Sequence, residues 1–195
     1  IGDAGDIAFD AGDGSVRGGR FFPHSSVSYA ENALAERGGA GDEAIVAITE
    51  HGERRAYTWP QLRAEVAALA AALKADGVQP GDRVATFCWN HVPHLHAYYG
   101  IPASGAILHT LNIRLHAEEL AYIVTHADDA VIIVDKVLWP VFEPVRARIG
   151  HRRIIVISDD HDIPAGTLHY GDLLAAQDDA PPFEDMDEHT GAVLC

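Results

Sequence analysis

With 195 residues the chain has room for one sizeable core, or about one and a half domains of ordinary size. Fourteen Lys plus Arg stand against 29 Asp plus Glu, a formal charge of −15 that repels phosphate backbones and anionic lipid surfaces and excludes nucleic acid as a partner. No apolar stretch reaches the roughly 18 residues of a transmembrane segment, no basic-then-apolar start marks a signal peptide, and Cys88 and Cys195 form neither a CxxC pair nor a disulfide framework, so a reduced, cytoplasmic setting is predicted.

Residues 1–20 are rich in Gly and Asp and hold little that can be buried, which predicts an irregular or disordered lead-in. The spacing Asp10-Gly12-Asp13-Gly14 resembles a calcium loop, but the twelfth position is Phe21 where such a loop needs a bidentate Glu. Ser28–Ala35 reads as a short helix ended by Gly38-Gly39. Ala44–Thr49 and Arg55–Thr58 read as two strands of a hairpin turning at His51-Gly52.

The strongest local signals surround residues 58–90. Thr58 with Gln61 fits a capping box, Pro60 sits in the first turn, and Leu62, Val66, Leu69, Ala70 and Leu73 share one helical face. Gly77 can take the left-handed conformation that closes this helix, Pro80-Gly81 supplies a turn, and Arg83–Cys88 follows as a β-prone run that needs burial on both faces.

Farther along, Asn90 is placed to cap a helix through Val92–Tyr99, which Pro102 ends. Gly105–Thr110 is a buried strand, Leu111–Leu115 a loop, and Ala117–His126 a helix with Glu118 and Glu119 in its first turn, where they complement the macrodipole. Val131–Asp135 and Arg153–Ile157 are continuous apolar runs that require strands on both sides. Leu138–Ile149 and Tyr170–Gln177 read as helices and Ala192–Cys195 as a last strand. Helices alternating with apolar strands predict an α/β fold, a parallel or mixed sheet with covering helices.

Ligands of such sheets sit beyond the carboxyl ends of the strands. The candidates there are Cys88-Trp89-Asn90, His109-Thr110-Leu111-Asn112, Asp135 and Ser158-Asp159-Asp160. No GxGxxG, GxxxxGK[ST] or GxSxG is present. Among the twelve histidines, His91, His94 and His96 are the densest group, yet His96 points away from the other two on a helix and no further ligand lies at useful local spacing, so no metal site is assigned. His109, inside an apolar strand beside a polar loop, is either a hydrogen-bonded core histidine or a substrate contact. Trp89, Tyr98 and Tyr99 either wall an apolar channel or pack as core.

Thr58–Leu62, Gly77–Ala85 and Gly105–Leu115, read together with Glu118–Ile123, Val131–Asp135 and Thr190–Cys195, resemble in order and spacing the amino-terminal part of the adenylate-forming acyl-CoA synthetases. The resemblance covers roughly residues 56–195, and the HTLNIRL form with Trp89-Asn90 is most similar to the medium- and long-chain fatty-acyl members. Residues 20–35 are more similar to the lead-in of acetoacetyl- and acetyl-type synthetases.

The resemblance implies that residues 21–195 are the amino-terminal portion of the large AMP-binding domain, truncated before the phosphate-binding loop of the TSGTTGxPKG kind. It implies ATP, Mg²⁺ and coenzyme A as cofactors of the full-length enzyme and a small carboxylic, fatty-type acid as its partner, and it admits a homodimer. The acid would be activated as an acyl-adenylate and transferred to coenzyme A. No catalytic residue of the family falls within the chain. His109, Thr110 and Asn112 are the candidate substrate-binding residues. The alternative reading is a non-catalytic α/β scaffold or binding module. With Ile1 first, Met186 its one methionine and Cys195 directly after an apolar run, the chain reads as an excerpt of a longer protein.

Overall fold

The computed structural model describes residues 7–15, 18–24, 29–35, 38–39, 41–150, 152–177, 183, 186 and 190–194. Six strands form one parallel sheet: β5 (Arg83–Phe87), β6 (Ile107–Thr110), β7 (Asp129–Asp135), β8 (Arg153–Ile157), β9 (Leu168–His169) and β10 (Val193–Leu194), in the order β10-β6-β5-β7-β8-β9. β7 and β8 are paired on both sides, as their unbroken apolar runs demand.

Helices cover both faces. α2 (Trp59–Ala75), α3 (Val92–Ala103) and α6 (Tyr170–Ala175) place Leu69, Leu73, Ala97, Ile101 and Tyr170 against Val84, Leu108, Val131, Ile133 and Ile155. On the other face α4 (Ala117–Ala127) and α5 (Trp139–Arg146) bury Leu120, Val124, Phe142 and Val145 on Ala85, Phe87, Ile132, Val134 and Val156. The central strands β7 and β8 therefore need apolar side chains on both faces, which is why they read as continuous runs without alternation.

The predicted start and stop of α2 have a complete hydrogen-bond basis. The Thr58 amide donates to Gln61 Oε1 at 2.9 Å while the Gln61 amide donates to Thr58 Oγ1 at 3.4 Å. At the other end Val78 N–H reaches Leu73 O and Gly77 N–H reaches Lys74 O, both at 3.0 Å, with Gly77 at φ 93°. This is a Schellman closure, and a Cβ at position 77 would strain it.

Several boundaries differ from expectation, each for a local reason. His91, not Asn90, caps α3, because its Nδ1 accepts the His94 amide. Pro102 does not end that helix, which runs to Ala103. Ser104 takes over the closure, its amide meeting the Gly100 and Ile101 carbonyls at 3.1 Å and its hydroxyl donating to Ile101 O at 2.7 Å. α5 stops at Arg146, where the Arg148 amide turns to Val145 O at 2.9 Å, and it is preceded by a short 3-10 turn at Lys136–Leu138.

The hairpin appears as β3 (Glu43–Ile48) and β4 (Arg54–Thr58), antiparallel and outside the main sheet. The lead-in is not wholly irregular: β1 (Phe9–Asp10) pairs with β2 (Arg20–Phe21), and the Phe9 and Phe21 rings meet at 4.9 Å. The expected helix at 28–35 is α1 (Tyr29–Ala33); Ser28 and Cys195, which the sequence assigned to that helix and to the last strand, lie outside the described residues.

Candidate functional site

The chain leaves β5 through α3 to reach β6 on one side, then returns through α4 to β7 on the other. Connections that part in opposite directions above one strand leave a crevice at its carboxyl end, where open α/β sheets bind ligands. An open crevice of about 1340 Å³ lies there, walled by Trp89, Asn90 and His91 after β5, Asp135 and Lys136 after β7, Ser158–Asp160 after β8, and the β3–β4 hairpin opposite.

Asp135, the last residue of β7, organises the crevice floor and is only 3% exposed. Its carboxylate accepts the Trp89 backbone N–H at 2.7 Å and the His91 Nε2–H at 2.6 Å. Because Nε2 of His91 carries the proton, Nδ1 is free to accept the His94 amide at 3.2 Å and cap α3. His94 in turn donates from Nδ1 to Trp89 O at 3.1 Å and accepts from the Thr86 hydroxyl at Nε2, also 3.1 Å. Burial pushes the His94 pKa down, and the neighbouring His91 adds to that, so the ring is held neutral.

These bonds decide what the crevice can do. Both nitrogens of His91 and of His94 are committed to the protein, so neither is free to shuttle a proton to a ligand. The Cys88 thiol donates to Ile133 O at 3.5 Å, and burial followed by the Asp135 charge raises its pKa well above the usual thiol value, which keeps it protonated and unreactive. Lys136 is bound to Asp160 at 2.6 Å and lies 3.5 Å from Asp162. Arg55 lies over the Tyr57 ring at 5.1 Å. The crevice is a preorganised wall with a half-exposed Trp89 on it, not a centre holding an activated nucleophile.

The sheet places the predicted residues in two groups. Trp89-Asn90, Asp135 and Ser158–Asp160 converge on the crevice, while Cys88 is buried with its thiol turned to Ile133 O; His109 and Thr110 in β6, and Asn112 after it, lie on the far side of β5. His109 is 5% exposed, and its Nδ1–H is shared between both oxygens of the fully buried Asp129 at 2.8 and 3.0 Å. The pair ties β6 to β7 across the intervening strand, where small Ala85 stands beside His109 in register. Thr110 ends β6 half-buried; Asn112 is exposed, its side-chain oxygen accepting the Arg114 amide at 3.0 Å.

The aromatic trio divides as well. Trp89 walls the crevice, Tyr98 packs on the His94 ring at 5.1 Å and Tyr99 on Tyr29 at 5.8 Å. His96, from the dense histidine group, is buried between α2 and α6: the Tyr170 hydroxyl reaches its Nδ1 at 3.4 Å, and its Nε2 lies 3.3 Å from Glu65 without hydrogen-bond geometry. Sequence reasoning named Asp135 as a strand-end candidate but missed its partner His91, 44 residues away, and the hairpin as the opposite wall.

A doubly wound parallel sheet with an open crevice at its switch point places the chain in the α/β class. The particular family follows from similarity: the model described as AMP-binding enzyme matches residues 33–195, and the chain belongs to that family. It is 30% identical over 160 residues to the medium-chain-fatty-acid–CoA ligase of Ectopseudomonas oleovorans, covering 80% of this chain and 29% of that protein. It is 38% identical over 139 residues to the long-chain-fatty-acid–CoA ligase of Thermus thermophilus, covering 71% and 26%. The fold matches the acetoacetyl-CoA synthetase of Streptomyces lividans with a TM-score of 0.75 at 27% identity, over 88% of this chain and 28% of that one. An acyl-CoA synthetase of Brucella canis shares the fold with a TM-score of 0.76 at 16% identity, over 88% and 31%. The chain thus spans under a third of the length of the relatives it matches.

Proposed function

We propose that this chain is the amino-terminal segment of an ATP-dependent acid–thiol ligase that activates a carboxylic acid of fatty type as its acyl-adenylate and passes the acyl group to coenzyme A. The observation that carries the reading is the 38% identity over 139 residues to a long-chain fatty-acid ligase, supported by a fold similar to that of an acetoacetyl-CoA synthetase at a TM-score of 0.75. The whole enzyme would use ATP, Mg²⁺ and coenzyme A, work in the cytoplasm and assemble as a homodimer. Residues 21–195 form the amino-terminal portion of its AMP-binding domain, after a lead-in at 1–20.

A triphosphate needs unpaired cations and a cradle of backbone N–H groups. The crevice does not fit that need, since Lys136 is engaged by Asp160 and Asp162 and the carboxylates of Asp159 and Asp160 stand on its rim. We therefore route no phosphate chemistry through these residues. On the other side of β5, Thr110 and Asn112 are assigned to the acid substrate, with His109 among them through its hold on the β6 end.

The test is acid-dependent ATP–pyrophosphate exchange, run in parallel on the full-length enzyme and on the 195-residue chain. Exchange by the full-length enzyme alone is the expected result. Acid-dependent exchange by the short chain would mean that the chemistry resides here after all.

A further inference from the structure

At the carboxyl end of the β8–β9 edge, outside the Asp135 network, two histidines and an aspartate converge. His161 comes from the loop after β8, His169 closes β9, and Asp172 lies in the first turn of α6. The Asp172 carboxylate stands 3.3 Å from His169 Nδ1 and 3.4 Å from His161 Nδ1, and the two rings lie 4.5 Å apart. One ligand atom from each of the three residues lies within 4.8 Å of the other two.

Two features bring these atoms within reach of one ion. First, ligands bound tetrahedrally to zinc at about 2.0–2.1 Å from nitrogen are separated by about 1.6 times that length, roughly 3.3 Å. The two measured separations, His169 Nδ1 to Asp172 Oδ1 at 3.3 Å and His161 Nδ1 to Asp172 Oδ2 at 3.4 Å, have this length, one to each oxygen of the carboxylate. Second, His169 Nε2–H donates to Ser158 O at 3.1 Å, which leaves the lone pair of the neutral ring on Nδ1. That lone pair accepts the Asp172 amide at 3.2 Å, with the Asp172 carboxylate 3.3 Å away, so a nitrogen acceptor and a carboxylate oxygen already stand side by side. The carbonyl bond on the distal nitrogen is also how metal-binding histidines are commonly oriented.

We infer that His161 Nδ1, His169 Nδ1 and Asp172 form a binding site for a divalent transition metal of the zinc class, with water completing the coordination. Two imidazoles and one carboxylate select zinc, nickel or copper over magnesium and calcium, which prefer all-oxygen sets. On binding, the 3.2 Å bond from the Asp172 amide to His169 Nδ1 is exchanged for a metal bond. The ion then clips the loop after β8 to the start of α6. Ser158, Asp159 and Asp160 on that loop are the rim of the crevice, so the metal fixes one wall of it.

The test uses chelator-stripped full-length enzyme titrated with Zn²⁺ alone by calorimetry, with thermal melting in parallel. Wild-type protein is expected to take up Zn²⁺ saturably at this site and to melt at a higher temperature in its presence. His161→Ala and Asp172→Asn should each weaken that uptake by about tenfold or more, the least expected when a metal ligand is removed, and should abolish the rise in melting temperature. Both side chains are more than half exposed, at 75% and 64%, so the metal-free variants should melt as the wild type does. His126→Ala, an exposed histidine on α4, serves as control and should leave the uptake unchanged. No saturable uptake by the wild type, or wild-type affinity in both His161→Ala and Asp172→Asn, would overturn the assignment.

Discussion

His109→Ala in the full-length enzyme separates a structural from a substrate-binding role. The substitution removes the partner shown for the Asp129 carboxylate, which is completely buried and receives the imidazole N–H on both oxygens. Stranding a buried hydrogen-bonding group costs about 1–3 kcal/mol, and breaking a buried ion pair costs about 3–5 kcal/mol. The expected loss is about 3 kcal/mol, where the two ranges meet. At roughly 2–4 °C per kcal/mol for a cooperative unit of this size, the melting temperature should fall by about 6–12 °C. In a cycle with Asp129→Ala, the double variant should cost at least about 1 kcal/mol less than the sum of the single ones, because the second deletion removes a group already stranded. The assay is thermal melting with kinetics on a short, a medium and a long fatty acid. An unchanged melting temperature together with a KM shift that depends on chain length would refute the reasoning and make His109 a direct specificity contact.

Asp135→Ala should destabilise by about 3 kcal/mol, since it strands the Trp89 amide and the His91 ring together, and should alter Trp89 fluorescence; Asp135→Asn, which keeps one acceptor, should cost about half as much. His96 has its pKa pushed down to about 4, by burial first and the neighbouring His91 second. The unfolded chain therefore binds a proton that the folded one refuses between pH 6.5 and about 4, and stability should fall by up to about 3 kcal/mol as pH drops through that window. His96→Leu should flatten this part of the profile in denaturant melts. Cys88, protonated and buried, should react with a thiol reagent at neutral pH only as fast as the protein opens, which peptide mapping of the labelled enzyme would reveal.

What could be read from the sequence was what local chemistry determines. Thr58, Gln61 and Gly77 specify both ends of α2 within a few residues of each end, and Val131–Val134 can only be a strand covered on both faces. The boundaries that moved did so where a side chain found a partner outside the local pattern. Asn90 is the better intrinsic cap, but His91 is held in place by Asp135 on a strand reached 44 residues later. β9 has two residues and no apolar pattern of its own, and exists because β8 offers it an edge. The same limit applied to the candidate sites. Strand ends pointed to loops of which several gather at one crevice, while the split of His109–Asn112 from it depends on strand order, which spacing along the chain does not encode. His161, His169 and Asp172 escaped notice because the eye falls on the dense group at 91–96, whose members face three different partners.

The most direct test of the assignment is product identification. Full-length enzyme incubated with ATP, Mg²⁺ and a series of fatty acids, with and without coenzyme A, would be analysed by mass spectrometry. The account predicts an acyl-adenylate when coenzyme A is withheld and the corresponding acyl-CoA thioester when it is supplied. Folded enzyme that yields neither species with any acid in the series would contradict it.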